Sequence, residues 1–203
     1  MMHKMVLSFL VMLVAFSAVA ETRVPEAVNI LVVYYSEKGH TRAMAEAVTE
    51  GAAAVEGAVA RLQSVSEATI EDVLAADAVI VGSPVYKANV APPVQEFINQ
   101  WPIKDGALKD KLGAAFSTGS GISAGEELVQ LDIIHAMLVC QMIIIGGPNA
   151  SQPFGASAIT GETPCNPGEE KREAGYVLEH YLEKGKALGA RVAQLAVRMK
   201  AVQ

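Results

Sequence analysis

The sequence predicts an α/β protein built on a doubly wound, five-stranded parallel sheet with helices on both faces. Three observations predict it. Apolar runs rich in β-branched residues alternate along the chain with stretches of helical periodicity. The runs are apolar at consecutive positions, as in strands covered on both faces. Each run is followed by a segment long enough to be a crossover helix, which a parallel strand pair requires.

Each element follows from its own residues. Val28 to Tyr35 (VNILVVYY) is the first buried strand. Thr41 to Val55 is a helix: Met44, Val48, Ala52 and Val55 recur at helical spacing, with Arg42, Glu46 and Glu50 on the other side. Gly57 ends it. Val59 to Leu62 is the second strand and Glu67 to Ala76 a short helix. Ala78 to Gly82 is the third strand, expected to stop at Ser83-Pro84. Pro92-Pro93 opens a helix with the apolar face Val94, Phe97, Ile98 and Trp101. Leu112 to Phe116 is the fourth strand, Gly125 to Leu138 a helix, and Met142 to Ile145 the fifth strand. Glu169 to Met199 is a long last helix, expected to break near Gly185 or Gly189.

Ahead of this domain, residues 1–20 read as a secretory signal peptide, leaving 21–203 as one domain. Met1-Met2-His3-Lys4 is short and basic, Met5 to Phe16 is almost wholly apolar, and Ala18-Val19-Ala20 is a small-x-small cleavage site before Glu21. The apolar run falls short of the roughly 20 residues of a membrane span. The expectation is therefore an exported, periplasmic protein with no stable span after cleavage.

Composition excludes other classes. Once Lys4 leaves with the first 20 residues, 15 basic and 22 acidic residues give a net charge of −7. An acidic chain without clustered Lys and Arg does not suit nucleic acid. No His/Cys cluster has metal-ligand spacing. Cys140 is expected at the head of the fifth strand and Cys165 in a Pro/Gly-rich loop. Two cysteines are no disulfide framework, and export leaves their pairing open.

In a parallel sheet of this kind, ligands bind beyond the carboxyl ends of the strands. Three loops stand there. Ser36-Glu37-Lys38-Gly39-His40-Thr41 joins the first strand to a helix start, where outward N–H groups and the helix dipole favour an anion. Its single glycine makes it neither a Walker loop nor a dinucleotide fingerprint. Gly82 to Asn89 carries Tyr86, a surface on which a flat ligand can stack, and Lys87, a cation for a reduced ring. Ser117-Thr118-Gly119-Ser120-Gly121-Ile122, running on to Gly125, offers hydroxyls and bare amides to the polar edge of a heterocycle. Each loop alone also reads as an ordinary connection. Together on one sheet edge they describe a mononucleotide site.

At these loops the chain resembles the flavodoxin-like superfamily, and within it the WrbA-type NAD(P)H:quinone oxidoreductases. The stretches that carry the likeness are LVVYYSEKGHTRAMAEAVTEGA, GSPVYKANVAPPVQEFINQ, AAFSTGSG, DIIHAM and FGASAITGE. The resemblance implies strand order 2-1-3-4-5 and a bound FMN. Ser36 through Thr41 would hold its phosphate and ribityl chain, Val85, Tyr86 and Lys87 would flank the isoalloxazine, and Ser117 to Ile122 would meet its pyrimidine edge. His135 matches the family's flavin-contacting histidine, and with Tyr86 and Lys87 it would serve the chemistry. By spacing alone, His135 reads as an ordinary core or C-terminal histidine near the end of an amphipathic helix. The implied activity is two-electron transfer from NAD(P)H to a small quinone by a homo-oligomer, dimer or tetramer; the alternatives are an exported flavodoxin-type electron carrier or a flavin-binding protein without turnover. One departure is that only Gln63 to Thr69 fills the gap after the second strand, where the family has a long segment. Trp101 lacks the family's local spacing and reads as packing.

Overall fold

The computed structural model describes residues 27–161 and 173–202. Residues 1–20, expected to be a signal peptide, and Cys165 lie outside the described residues. The elements in chain order are β1 (Val28–Tyr34), α1 (His40–Ala53), β2 (Ala58–Ser64), α2 (Ile70–Ala75), β3 (Ala78–Tyr86), β4 (Asn89–Val90), α3 (Pro92–Asn99), β5 (Leu112–Gly119), α4 (Glu126–Val139), β6 (Ile143–Ile144), β7 (Ala156–Ile159) and α5 (Glu179–Lys200).

The sheet runs β2-β1-β3-β5-β6 with all of these pairs parallel. Consecutive strand residues feed opposite cores, which is why the runs are apolar throughout. Ile30, Val32, Ile80 and Phe116 pack with Met44 and Val48 of α1 and with Leu188 and Val192 of α5. Leu31, Val33, Val79 and Val81 pack on the other face with Val94 and Phe97 of α3 and with Val129, Ile133 and Met137 of α4. Trp101 is buried in that second core, edge-on to Phe97 at 6.0 Å, so it is a packing residue.

Several expectations are corrected. β3 does not stop at Ser83-Pro84; it continues to Tyr86, with Pro84 beside Thr118 of β5. The pairing of β1 with β3 ends at Gly82, so Pro84 stands where β3 has no β1 residue to bond and its missing N–H is tolerated. β5 likewise runs on through Ser117, Thr118 and Gly119, where the sequence predicts a loop. The fifth strand position is filled by two segments: β6 pairs with Leu112–Gly113 and β7 with Phe116–Gly119. Between them the chain turns outward at Gly146-Gly147-Pro148, and Cβ atoms at these two glycines would strike the Pro153 and Gln152 carbonyl oxygens. Cys140 caps α4 rather than heading a strand, and it is a buried free thiol.

The last helix begins at Glu179, not Glu169, and does not break at its glycines. Gly189 and Gly51 are contact points instead. A Cβ at Gly189 would lie 1.9 Å from the Val48 carbonyl oxygen, and one at Gly51 would lie 1.9 Å from that of Lys186. The bare Cα atoms let α1 and α5 touch backbone to backbone.

Candidate functional site

The register of the sheet brings the three loops to one edge. Tyr34 lies beside Gly82, and Ser83 and Pro84 lie beside Ser117 and Thr118. Beyond these pairs opens a small cleft of about 140 Å³, at the carboxyl ends of the strands where ligands of such sheets bind. Ser36, Glu37, Lys38, His40 and Thr41 line it from the first loop, Pro84, Val85 and Tyr86 from the second, and Thr118, Gly119 and Ser120 from the third. Thr160, just past β7, completes the wall. The split fifth strand hid its position, although it lies within the FGASAITGE stretch.

The first loop is held from both sides. The Gly39 N–H donates to Ser36 Oγ at 3.1 Å. Gly39 is left-handed at φ +92°, and a Cβ there would be 3.1 Å from the Cα of Gly175. The segment before α5 therefore crosses this loop closely, and His40 Nε2 donates to the Glu173 carbonyl at 3.1 Å. Thr41 is buried in the first turn of α1, its hydroxyl 2.8 Å from that of Thr118. This bond ties the first loop to the third under the cleft. The opening N–H groups of α1 have no intrahelical acceptor, and the helix has no side-chain cap.

The second loop is a tight hairpin. Tyr86 and Asn89 pair antiparallel across Lys87 and Ala88, both at positive φ (53° and 61°). This matches a type I′ turn, built here without glycine. Ser83 Oγ accepts from the Ala91 N–H at 3.0 Å and closes the hairpin onto α3. The Tyr86 hydroxyl donates to the Glu37 carboxylate. Burial, then that bond and the neighbouring Tyr35, push the Tyr86 phenol well above its ordinary range. Glu37 thus spends its charge on Tyr86 at the rim.

The third loop is organised from below. Ser117 is fully buried; its hydroxyl donates to the Glu126 carbonyl at 3.0 Å and accepts from Gln130 at 3.2 Å. Gln130 also donates to the Ala156 carbonyl at 2.9 Å, joining α4 to β7.

Six of the expected residues do not line the cleft. Gly39 faces a second groove on the other side of its loop, with Tyr34, Tyr35 and Phe97. Lys87 is exposed on the hairpin turn, Ser117 is a buried framework residue, Gly121 is buried, and Ile122 is 63% exposed. His135 is exposed on α4, nine residues beyond the start of that helix.

Comparison with known proteins accords with this geometry. A family described as NADPH-dependent FMN reductase matches residues 28–156. A protein named flavodoxin from Aquifex aeolicus is 34% identical over 156 residues, covering 72% of this chain and 80% of its own. A protein named NAD(P)H dehydrogenase (quinone) from Sinorhizobium fredii is 33% identical over 206 residues, covering 84% of this chain and 98% of its own. Among solved structures, a WrbA-like flavodoxin from Agrobacterium tumefaciens has the same fold, with a TM-score of 0.67 at 23% identity over 85% of this chain and 99% of that one. The chain belongs to the NADPH-dependent FMN reductase family of flavodoxin-like FMN oxidoreductases.

Proposed function

We propose that this chain is an exported FMN-dependent oxidoreductase that passes two electrons from NAD(P)H to a quinone. The observation that carries the reading is the convergence of three loops on one cleft, a helix N-terminus, a tyrosine and a small-residue strand end. The donor set suits FMN. The uncapped first turn of α1 and Lys38 offer N–H groups and a cation to a phosphate. Tyr86 and Val85 offer a stacking wall, and Thr118, Gly119, Ser120 and Thr160 offer hydroxyls and a close backbone to a polar ring edge. When bound, FMN supplies the hydride and electron chemistry.

The chain's own residues position and shield. The bond between Thr41 and Thr118 fixes the distance between the phosphate end and the ring end of the cleft. The Tyr86–Glu37 bond holds the stacking wall in place. His40, tied to Glu173, keeps the segment before α5 over the first loop. Relatives named NAD(P)H dehydrogenase (quinone) support the donor and acceptor. Donor and acceptor would use the same open face of the cleft in turn. The test is steady-state oxidation of NAD(P)H by purified mature protein with and without a soluble quinone. The expected result is bound FMN, quinone-dependent turnover and parallel double-reciprocal lines. Stoichiometric FMN without quinone-dependent oxidation overturns the reading.

The Aquifex aeolicus flavodoxin favours a second reading, a carrier that exchanges electrons with a protein partner. Export adds to it, because NAD(P)H is not plentiful outside the cytoplasm. In that case bound FMN stays oxidised on mixing with NAD(P)H. Export itself is checked by recovery of a chain beginning at Glu21 from the periplasmic fraction.

A further inference from the structure

Behind the third loop lies a carboxylate that the folding of the chain does not fully use. Glu126, the first residue of α4, is 8% exposed. Its Oε2 accepts from the Gly125 N–H at 3.2 Å, while Oε1 is buried with no hydrogen-bond partner among the described residues. A carboxylate in the first turn of a helix, bonded to the Gly125 N–H, explains one oxygen and leaves the other.

The position of that oxygen is specific. A Cβ on Gly119 would lie 2.2 Å from Glu126 Oε1, so the bare Cα of Gly119 makes room for the carboxylate. Gly119 is a wall residue of the cleft. The Glu126 backbone is pinned as well, since its carbonyl accepts from Ser117 Oγ. Gly125 packs against Ala88 of the hairpin so tightly that a Cβ there would come within 2.7 Å of the Ala88 Cβ. The acid therefore sits at the junction of α4, the third loop and the stacking hairpin, one backbone layer behind the cleft.

We infer that Glu126 is a positioning residue that sets the reducing strength of the flavin, its negative charge behind Gly119 opposing the charge that reduction adds to a ring in the cleft. The inference rests on the FMN reading above. A charge a few ångströms from a partly screened site acts on the charged form of its neighbour and hardly on the neutral one. Glu126 should therefore weaken the protein's hold on reduced FMN while leaving oxidised FMN bound as before. The cofactor then becomes the stronger electron donor. The side chain touches neither cofactor nor substrate in this role.

The experiment compares the wild type with E126Q, which keeps the shape and removes the charge, and with E126M, a second neutral filling of the same space. The midpoint potential of bound FMN is measured by dye-linked titration, and the dissociation constants of oxidised and reduced FMN are measured separately. Both variants should move the potential in the positive direction and tighten reduced FMN on the order of tenfold, with oxidised FMN changed less than about threefold. E127Q, at the exposed neighbour, and E126D, which keeps the charge, should stay near the wild-type potential. Neutral variants that bind FMN at the wild-type potential overturn the inference, as does an E126D shift equal to that of E126Q. A wild-type protein that binds no FMN overturns the cofactor reading instead.

Discussion

The Tyr86 hydroxyl donates a hydrogen bond to the Glu37 carboxylate, and so ties the β3–β4 hairpin to the loop after β1 across the rim of the cleft. Tyr35 meets the Tyr86 ring edge-on at 6.4 Å from the other side. Burial and these neighbours hold the phenol protonated beyond its usual range. A proton bound more tightly in the folded state stabilises it fully below the ordinary phenol value of about 10. That contribution is lost as pH rises from there toward the raised folded value. In an alkaline absorbance titration, Tyr86 should ionise well above the ordinary phenol range, and Y86F should remove that late phase. The same variant should weaken FMN binding about fivefold by freeing the rim, the worth of a partly exposed charge-assisted bond.

The buried hydroxyl pair of Thr41 and Thr118 spans the floor of the cleft at 2.8 Å. T41V and T118V each leave one hydroxyl buried without its partner and should each cost about 1 kcal/mol of stability. The double variant should cost less than the sum, because no orphan remains. Urea denaturation of the four proteins gives the coupling. FMN affinity should fall in all three variants, since the bond sets the separation of the two loops.

The alternation of elements was legible because a strand buried on both faces has no other pattern. Val28 to Tyr34 could be read directly for that reason. Pro84 and the run Ser117-Thr118-Gly119 were misread because they look like loop locally. Pairing with neighbouring strands made them strand, and a single sequence does not display that pairing. β7 was hidden similarly: Ala156 to Ile159 is a strand by virtue of its place beside β5. The three loops were found because sheet topology sends them to one edge. Which side chains face the cleft was not legible beyond that. Ser117 and Thr118 are adjacent hydroxyls, and strand alternation buries one in the framework and presents the other. Glycines at 185 and 189 read as breakers in sequence, whereas in the fold they seat one helix on another.

That seating yields a third prediction. A Cβ at Gly189 would lie 1.9 Å from a backbone oxygen of α1, which cannot rotate away. G189A should therefore force α5 off α1 and cost about 3 kcal/mol, the upper part of the overpacking range. An ordinary Gly→Ala change within a helix stabilises by up to about 1 kcal/mol. The sign of the change in urea midpoint decides between contact and propensity. A stabilised G189A would mean that the two helices have room to spare.

The start of α2 supplies a pH test remote from the cleft. The Asp72 carboxylate accepts from the Thr69 N–H at 3.0 Å and the Thr69 hydroxyl at 2.9 Å, and the Arg61 guanidinium reaches it at 3.0 Å. The Thr69 side chain in turn accepts from the Asp72 N–H, completing a capping box. These bonds, Thr69's first, hold the Asp72 carboxyl below its ordinary value. A depressed folded value means that the stabilisation is present above the unfolded value of about 3.9 and is lost as pH falls through the folded one. D72N keeps an acceptor at the cap but removes the charge and its titration. The gap in urea midpoint between wild type and D72N should be widest near neutral pH and should shrink once pH drops below about 4. A gap that stays constant down to pH 2 would show that the box works by hydrogen-bond geometry alone and that the carboxylate charge contributes nothing to α2.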